Sequence, residues 1–286
     1  MIALHPLALD ASALAGLGRA LAPAGLRTIA VDLPGFGRTP AGKDALTPAR
    51  LAAPVLELAG RLRERPALLG ISMGGRVALE AALAAPEVFR AAVFVAPYLP
   101  WLRLRWAMPL ARAMSPRLAE SVPIEKAWPL LRALAGALER APGLADDPMA
   151  QAAVRVIYHA SCPATRRAIV SAAREMALDP AFGPHGVWAR LPSLRVPAAF
   201  VWGGRDRLVP VGFASPVART CPGAQQVVLA CVDHARIGRH LECLASAVGP
   251  FLAGGGPCAQ RVPCRAPRAG RAPVRAMRPE RPTPSG

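Results

Sequence analysis

The sequence has little that would cross-link the chain or hold a structural metal. Its 286 residues include six cysteines, but no two of them form a Cys-X-X-Cys pair. This spacing argues against a zinc framework and against the dense disulfide pattern of a small secreted domain. We therefore expect free thiols and a cytoplasmic location. The cysteines are Cys162, Cys221, Cys231, Cys243, Cys258 and Cys264.

Targeting and membrane-spanning segments are also not expected. The chain does not open with the basic region, apolar region and cleavage site of a secretory signal. Its most apolar stretch, residues 91–110, is interrupted by Pro97, Pro100, Arg103 and Arg105. A stretch broken in this way is a poor membrane span, although transient contact with a membrane surface stays open.

Acidic residues are scarce relative to basic ones. The chain has 35 lysines and arginines against 18 acids, which gives a formal net charge of +17. Such a balance is typical of proteins that bind nucleic acids or anionic membranes. The basic residues are nearly all arginines, they are scattered, and no nucleic-acid-binding motif accompanies them. We attribute the excess to a coding bias towards Arg, Ala, Gly and Pro, and expect no nucleic-acid partner.

Short apolar runs alternate with longer helical patterns along a chain that is 53% apolar. This alternation predicts an α/β fold with a mostly parallel, doubly wound sheet and helices on both faces. Helices are predicted to begin near Asp10, at Thr47-Pro48 and near Met73, and the second of them to end near Arg65. The predicted strands are Ile2–His5, Leu26–Leu33, Ala67–Ile71, Ala91–Ala96, Pro197–Trp202 and Gln226–Ala230.

The alternation stops between Pro97 and about Pro192, where no strand pattern appears. Four helices are predicted there: Trp101–Met114, Ile124–Glu139, Met149–His159 and Pro163–Met176. The chain is thereby divided into a first part of the core (1–97), a helical cap (98–192), a second part of the core (193–252) and a tail (253–286).

The tail is rich in arginine, proline, alanine and glycine. From residue 253 it carries seven arginines against one acid, Glu280, and almost no large apolar residues. Burial therefore cannot offset the entropy lost on ordering, so we expect a disordered segment. An arm for nucleic acid or for an acidic partner stays open.

A catalytic motif follows the third predicted strand. Residues 70–74 read Gly-Ile-Ser-Met-Gly, which fits G-x-S-x-G, with the predicted helix directly after it. In this strand–turn–helix context the glycines allow a sharp turn that exposes the serine hydroxyl above the sheet. The motif therefore predicts that Ser72 is a nucleophile, and the alternative is a serine in a tight glycine turn.

A serine nucleophile needs a base, and the base needs an acid. His234 follows the last predicted strand after a short loop, and Asp206 lies just beyond the fifth. Both are therefore placed at the same edge of the sheet as Ser72. The order serine, aspartate, histidine is that of the α/β-hydrolase triad. His159 and His185 lie in the insertion and are interpreted as surface or cap residues.

On these residues the sequence resembles the α/β-hydrolase superfamily, in its capped carboxylesterase and enol-lactonase-like branch. The similarity covers about residues 1–252. It rests on the segments Leu-His-Pro-Leu at 4–7, Val-Asp-Leu-Pro-Gly-Phe-Gly-Arg at 31–38, the serine motif, Trp-Gly-Gly-Arg-Asp at 202–206 and the closing histidine.

The resemblance implies an oxyanion hole formed by two backbone N–H groups. One donor would be Met73, which follows the nucleophile. The other would be Leu7, with Ala8 as the alternative, on the loop that His5 would hold in place. The triad chemistry requires no metal and no organic cofactor.

The cap is expected to act as a lid that selects the substrate. Its first helix is strongly apolar, which fits a core helix, an acyl-chain pocket or a membrane-surface contact. We expect hydrolysis of a small to medium apolar ester or lactone through an acyl-enzyme. Acyl transfer, C–C bond hydrolysis by the same triad and a non-catalytic ligand-binding role stay open. The apolar residues are Trp101, Leu102, Leu104, Trp106, Met108, Leu110 and Met114, with Arg103 and Arg105 between them.

Overall fold

A seven-stranded, entirely parallel sheet forms the centre of the molecule in the computed structural model, which describes residues 1–100, 108–144, 147–254 and 256–263. The strand order is β2-β1-β3-β4-β5-β6-β7. This confirms the predicted α/β fold. The strands are β1 (Ile2–Leu4), β2 (Ile29–Val31), β3 (Ala67–Ile71), β4 (Ala91–Val95), β5 (Ala198–Gly203), β6 (Gln225–Leu229) and β7 (Arg261–Val262).

The central strands are buried along their whole length. Every residue of β3, β4 and β5 is buried, as expected for parallel strands that are covered by helices on both faces. Their register places Gly70 beside Phe94 and Phe94 beside Phe200. The rings of Phe94 and Phe200 lie 4.9 Å apart at the centre of the core.

Five helices belong to the core, and three of them, α3, α10 and α11, contact strands of the sheet directly. Helix α2 packs on α3, and α1 packs on α11. The Asp10 carboxylate accepts the Ser12 N–H at the first turn, and the Thr47 hydroxyl accepts the Arg50 N–H of α2. Helix α2 ends earlier than predicted, at Gly60. These helices are α1 (Ala15–Leu21), α2 (Pro48–Gly60), α3 (Met73–Ala84), α10 (Ala214–Thr220) and α11 (Leu241–Leu252).

A helical insertion separates β4 from β5. The first half of the predicted helix Trp101–Met114, residues 101–107, lies outside the described residues. The helix Pro116–Ser121 was not predicted, and the predicted Ile124–Glu139 is a short 3-10 turn followed by a helix. The insertion contains α4 (Met108–Ala113), α5 (Pro116–Ser121), α6 (Trp128–Arg140), α7 (Pro148–Ser161), α8 (Pro163–Leu178) and α9 (Val187–Arg190).

The buried Arg166 of α8 joins three of the insertion helices. Its guanidinium donates to the carbonyl oxygens of Ala119 and Glu120 in α5, and to those of Ala160 and Ser161 at the end of α7. Carbonyls in the last turn of a helix have no partner within the helix. Arg166 therefore satisfies these groups and holds α5 and α7 against α8.

The expectation of a disordered tail from residue 253 is wrong for residues 256–263. Strand β7 pairs with β6, which would otherwise be an open edge. The Cys258 N–H donates to the Gln225 side-chain oxygen at 2.6 Å, and the Cys258 side chain is buried. Hydrogen bonds to the otherwise unpaired backbone groups of β6 thus stabilise this segment in an ordered conformation, and composition does not reveal them. The remainder of the predicted tail, residues 264–286, lies outside the described residues.

Candidate active site

The strand order changes direction at β1, and the candidate site lies there. The chain passes from β1 to β2 on one side and returns to β3 on the other. In open parallel sheets, ligands bind at the carboxyl ends of the strands beside such a switch point. Ser72 follows β3 and Leu7 follows β1, so both lie beside it. Asp206 and His234 follow β5 and β6 at the same edge.

Ser72 occupies a strained turn between β3 and α3. Its φ of 55° and ψ of −113° are rare for a residue with a side chain and cost of order 1–3 kcal/mol. Backbone hydrogen bonds hold the turn: the Ser72 N–H donates to the Val95 carbonyl at 2.9 Å, and the Ser72 carbonyl accepts the Arg76 N–H at 3.0 Å. The strain is therefore maintained by the sheet on one side and the helix on the other.

The glycines of the motif allow three backbone segments to approach closely. A Cβ on Gly74 would lie 2.5 Å from the Leu4 carbonyl oxygen and 2.7 Å from that of His5. A Cβ on Gly70 would lie 2.0 Å from the Gly74 carbonyl oxygen. The first turn of α3 therefore lies directly against the end of β1 and the loop that follows it.

Ser72, His234 and Asp206 form a continuous hydrogen-bonded chain. The Ser72 Oγ lies 2.9 Å from the His234 Nε2, and the His234 Nδ1 lies 2.7 Å from the Asp206 Oδ2. A carboxylate accepts hydrogen bonds, so Asp206 places the proton of a neutral imidazole on Nδ1. The lone pair of Nε2 then faces the serine hydroxyl.

Asp206 is fixed by its own loop. Its side chain has no exposed surface, and its Oδ1 accepts the backbone N–H groups of Leu208 and Val209 at 2.8 and 2.7 Å. Both oxygens are therefore engaged, one by the loop and one by His234. This keeps the carboxylate oriented towards the imidazole.

Met73 and Leu7 lie on the two segments that the glycines bring together. Met73 is the first residue of α3, where backbone N–H groups lack partners within the helix. Leu7 lies in a turn in which the Leu9 N–H donates to the Pro6 carbonyl at 3.3 Å and Ala8 has a φ of 60°. That these N–H groups form an oxyanion hole stays a prediction.

His5 holds the loop after β1, in agreement with its expected structural role. It is fully buried, its Nε2 accepts the Leu33 N–H at 3.1 Å, and its Nδ1 donates to the Pro6 carbonyl at 2.8 Å. Burial lowers the pKa of this imidazole, although its hydrogen bond to Pro6 opposes that effect. A neutral ring suits its one acceptor and one donor contact.

Sequence reasoning missed a contact between the insertion and this loop. His159, interpreted as a surface or cap residue, has a side chain only 14% exposed, and its Nε2 lies 3.0 Å from the Asp10 Oδ2. Burial raises the pKa of Asp10, but hydrogen bonds from His159 and Ser12 outweigh it and hold this pKa well below its ordinary value. The partners are 149 positions apart in the sequence, so no local pattern could reveal the pair.

Asp32 was likewise not identified as important, although it joins the loops after β1 and β2. Its carboxylate accepts the Ala11 N–H at 2.8 Å and the Arg38 N–H at 3.0 Å. A Cβ on Gly37 would lie 2.3 Å from this carboxylate, so glycine is required there. Asp32 therefore links the segment that follows Leu7 to the loop after β2.

Two further properties bear on the kind of site this is. Within residues 1–100, 108–144, 147–254 and 256–263, no cluster of histidine, cysteine and acidic side chains is arranged to hold a metal ion. None of the helices described for these residues is long and apolar enough to cross a membrane.

Fold and site together define the chain as a hydrolase. Residues 2–245 match the alpha/beta hydrolase family, and the chain belongs to that family. No curated protein sequence matches it.

Several solved structures share the fold at low sequence identity. A hydrolase from Pseudomonas aeruginosa PA01 has 20% identity and a TM-score of 0.65, with 89% of each chain covered. The enol-lactonase from Burkholderia xenovorans LB400 has 20% identity and a TM-score of 0.64, covering 88% of this chain and 90% of that one. A thermophilic esterase from Thermogutta terrifontis has 22% identity and a TM-score of 0.65, covering 88% and 89%.

Proposed function

We propose that the protein is a serine hydrolase that cleaves a carboxylic ester or lactone of a small to medium, largely apolar substrate through an acyl-enzyme on Ser72. The observation that carries the proposal is the hydrogen-bonded chain from Ser72 through His234 to Asp206. Ester and lactone substrates are suggested by the names of two structural neighbours, an enol-lactonase and an esterase.

The geometry supports a two-step mechanism. The Ser72 oxygen attacks the carbonyl carbon while its proton moves to the His234 Nε2, and Asp206 stabilises the imidazolium that forms. The oxyanion accepts hydrogen bonds from the Met73 and Leu7 N–H groups, each worth roughly 3–4 kcal/mol in the transition state. Collapse of the intermediate transfers the proton to the leaving oxygen and leaves the acyl group on Ser72. Water, activated by His234, then releases the acid.

The helical insertion is proposed to act as the cap over this site. It enters directly after β4 and leaves directly before β5, and its helix α9 contacts the core next to the Asp206 loop. There the Trp188 ring stacks on Phe213 with centroids 6.1 Å apart. A cytoplasmic location is proposed as well, because all five cysteines of the described residues are free thiols.

Hydrolysis of p-nitrophenyl butyrate tests the proposal. Ser72→Ala is expected to abolish turnover, whereas Ser246→Ala, which removes an exposed hydroxyl on α11, should leave it unchanged. Undiminished activity in Ser72→Ala would overturn the nucleophile assignment. Acyl transfer and C–C bond hydrolysis use the same triad, and product analysis with an added alcohol acceptor or a diketone substrate separates them. If the protein only binds a ligand and is not catalytic, none of these assays would show turnover.

A further inference from the structure

Helix α7 is tied at both ends to loops of the proposed active site. At its start, Asp147 pairs with Arg239, which lies five residues after His234. At its end, the His159 Nε2 lies 3.0 Å from the Asp10 Oδ2, and Asp10 lies three residues after Leu7. The helix therefore connects the loop of the proposed base to the loop of the proposed oxyanion donor.

The length of α7 matches the distance between the strands that carry these loops. Asp147 and His159 are twelve residues apart, which corresponds to about 18 Å along a helix. Strands β1 and β6 are four positions apart in the sheet, which corresponds to about 19 Å. A helix fixed at both ends with this span must cross the carboxyl edge of the sheet above β3, β4 and β5.

The face of α7 that looks down on this edge follows from the two anchors. Residues 147, 151, 155 and 159 recur every four positions, so they form one stripe within about 120° of the helix surface. Since both ends of the stripe contact the edge loops, Gln151 and Arg155 between them face the sheet edge. Ala150 and Val154 lie to one side of this stripe and are buried, in a helix that contacts α6 and α8. Ala153 and Val156, away from both the stripe and the buried side, are exposed to solvent.

The same spacing gives the position of Arg155 relative to the strands. It lies about 12 Å along the helix from Asp147, which corresponds to a position between β4 and β3, the strand that ends at Ser72. Its side chain is half-buried, so its guanidinium is accessible to a small molecule.

The Arg155 guanidinium has no ion-pair or hydrogen-bond partner within the described part of the chain. The two carboxylates on the same side of α7 are already engaged, Asp147 with Arg239 and Asp10 with His159. A guanidinium is always charged and is matched in shape by a carboxylate. The missing partner is therefore expected to be an anionic group that enters the cleft.

We propose that Arg155 is a specificity-determining residue that binds a carboxylate of the substrate, so that the substrate is an ester or lactone carrying a free carboxylate. This proposal rests on the proposed function, because it assumes that Ser72 cleaves the acyl bond. It narrows the substrate class from apolar esters in general to those with an anionic end.

A matched pair of substrates tests the proposal. p-Nitrophenyl butyrate and mono-p-nitrophenyl succinate have the same leaving group and four acyl carbons, and only the second has a free carboxylate. The wild type is expected to show the higher kcat/KM for the succinate. Arg155→Gln should lower that value about 10- to 100-fold, as expected for loss of a charge-assisted contact, while the value for butyrate changes less than threefold.

Two further variants make the result specific. Arg155→Lys keeps the charge but cannot donate two parallel hydrogen bonds to one carboxylate. Its kcat/KM for the succinate should therefore lie between those of the wild type and Arg155→Gln. Arg132→Gln removes an exposed charge from α6 and should leave kcat/KM for both substrates unchanged. Equal effects of Arg155→Gln on the two esters, or no effect on either, would overturn the carboxylate site. Absence of turnover of both esters by the wild type would instead count against the proposed function.

Discussion

Arg76 is expected to contribute more to stability than any exposed ion pair of the molecule. It lies in the first turns of α3, and its side chain is only 1% exposed. Its Nε and Nη2 donate to the Asp179 Oδ2 at 2.9 and 2.7 Å, and its Nη1 donates to the Glu80 Oε2 at 2.8 Å. Arg190 binds the same Glu80 with contacts of 2.6 and 3.1 Å. The cluster joins the helix that follows Ser72 to the end of the insertion.

Replacement of Arg76 by methionine leaves the two carboxylates in different situations. Glu80 keeps Arg190, but Asp179, whose side chain is 14% exposed, loses both of its hydrogen bonds. Burial already raises the pKa of Asp179 against the attraction of Arg76. Loss of one partner from a buried pair costs about 3–5 kcal/mol. With roughly 2–4 °C per kcal/mol for a chain of this size, Tm should fall by about 6–20 °C.

Arg190→Met is the matched control for this prediction. Arg190 is 32% exposed, and its removal leaves Glu80 bound to Arg76, so the expected cost is about 1 kcal/mol. Thermal unfolding of both variants and of Arg76→Met/Asp179→Asn measures the effect. The double variant should recover part of the lost stability, because the unpaired charge is removed. Equal losses for Arg76→Met and Arg190→Met, or no recovery in the double variant, would refute the argument.

Three other outcomes are expected. Gly74→Ala should abolish activity and lower Tm strongly, because the added Cβ would lie 2.5 Å from the Leu4 carbonyl oxygen. The control Gly42→Ala should be tolerated, because open space surrounds Gly42. Equal Tm values of the two variants would contradict the close approach at Gly74. Asp206→Asn should reduce kcat about 10⁴-fold with little change in KM, because it no longer selects the Nδ1–H tautomer, and an unchanged kcat would remove Asp206 from the mechanism. Because burial lowers the pKa of His5 below the unfolded value of 6.5, its contribution to stability is complete above pH 6.5 and is lost as the pH falls towards the folded pKa. Below pH 6.5 the free energy of unfolding of the wild type should therefore decrease more steeply than that of His5→Gln, by up to about 1.4 kcal/mol per pH unit. Parallel pH profiles of the two proteins would be evidence against a buried neutral ring.

The core of the site could be predicted because parallel strands bring distant loops to one edge. Once Ala67–Ile71, Pro197–Trp202 and Gln226–Ala230 are recognised as strands, short loops leave Ser72, Asp206 and His234 little freedom. The observed bounds of the first of these strands are those predicted, and the ends of the other two differ from the prediction by one residue. Local pattern and sheet topology together were therefore sufficient.

Contacts of the insertion could not be predicted in this way. Asp10 with His159, Asp147 with Arg239, and Arg76 with Asp179 each join residues that are far apart in the chain. Their pairing depends on how α7 and α8 pack over the core, and helical periodicity gives only the length of each helix. The inward face of α7 became evident only when both of its anchors were known.

Strand β7 was missed for a different reason. Two residues are too few to show the alternation by which strands are recognised, and they are surrounded by glycine, proline and arginine. The strand forms because β6 offers unpaired backbone groups, which is a property of the sheet and not of residues 261–262.

Labelling with a fluorophosphonate probe tests the central claim most directly, because the phosphorus of the probe reacts with a serine oxygen that a base activates. The Ser72 oxygen should displace fluoride, with its proton passing to His234, so that intact-mass analysis shows one adduct per chain and peptide mapping places it on Ser72. Ser72→Ala and His234→Gln should remain unlabelled. An unlabelled wild type, or an adduct on a different serine, would contradict the account.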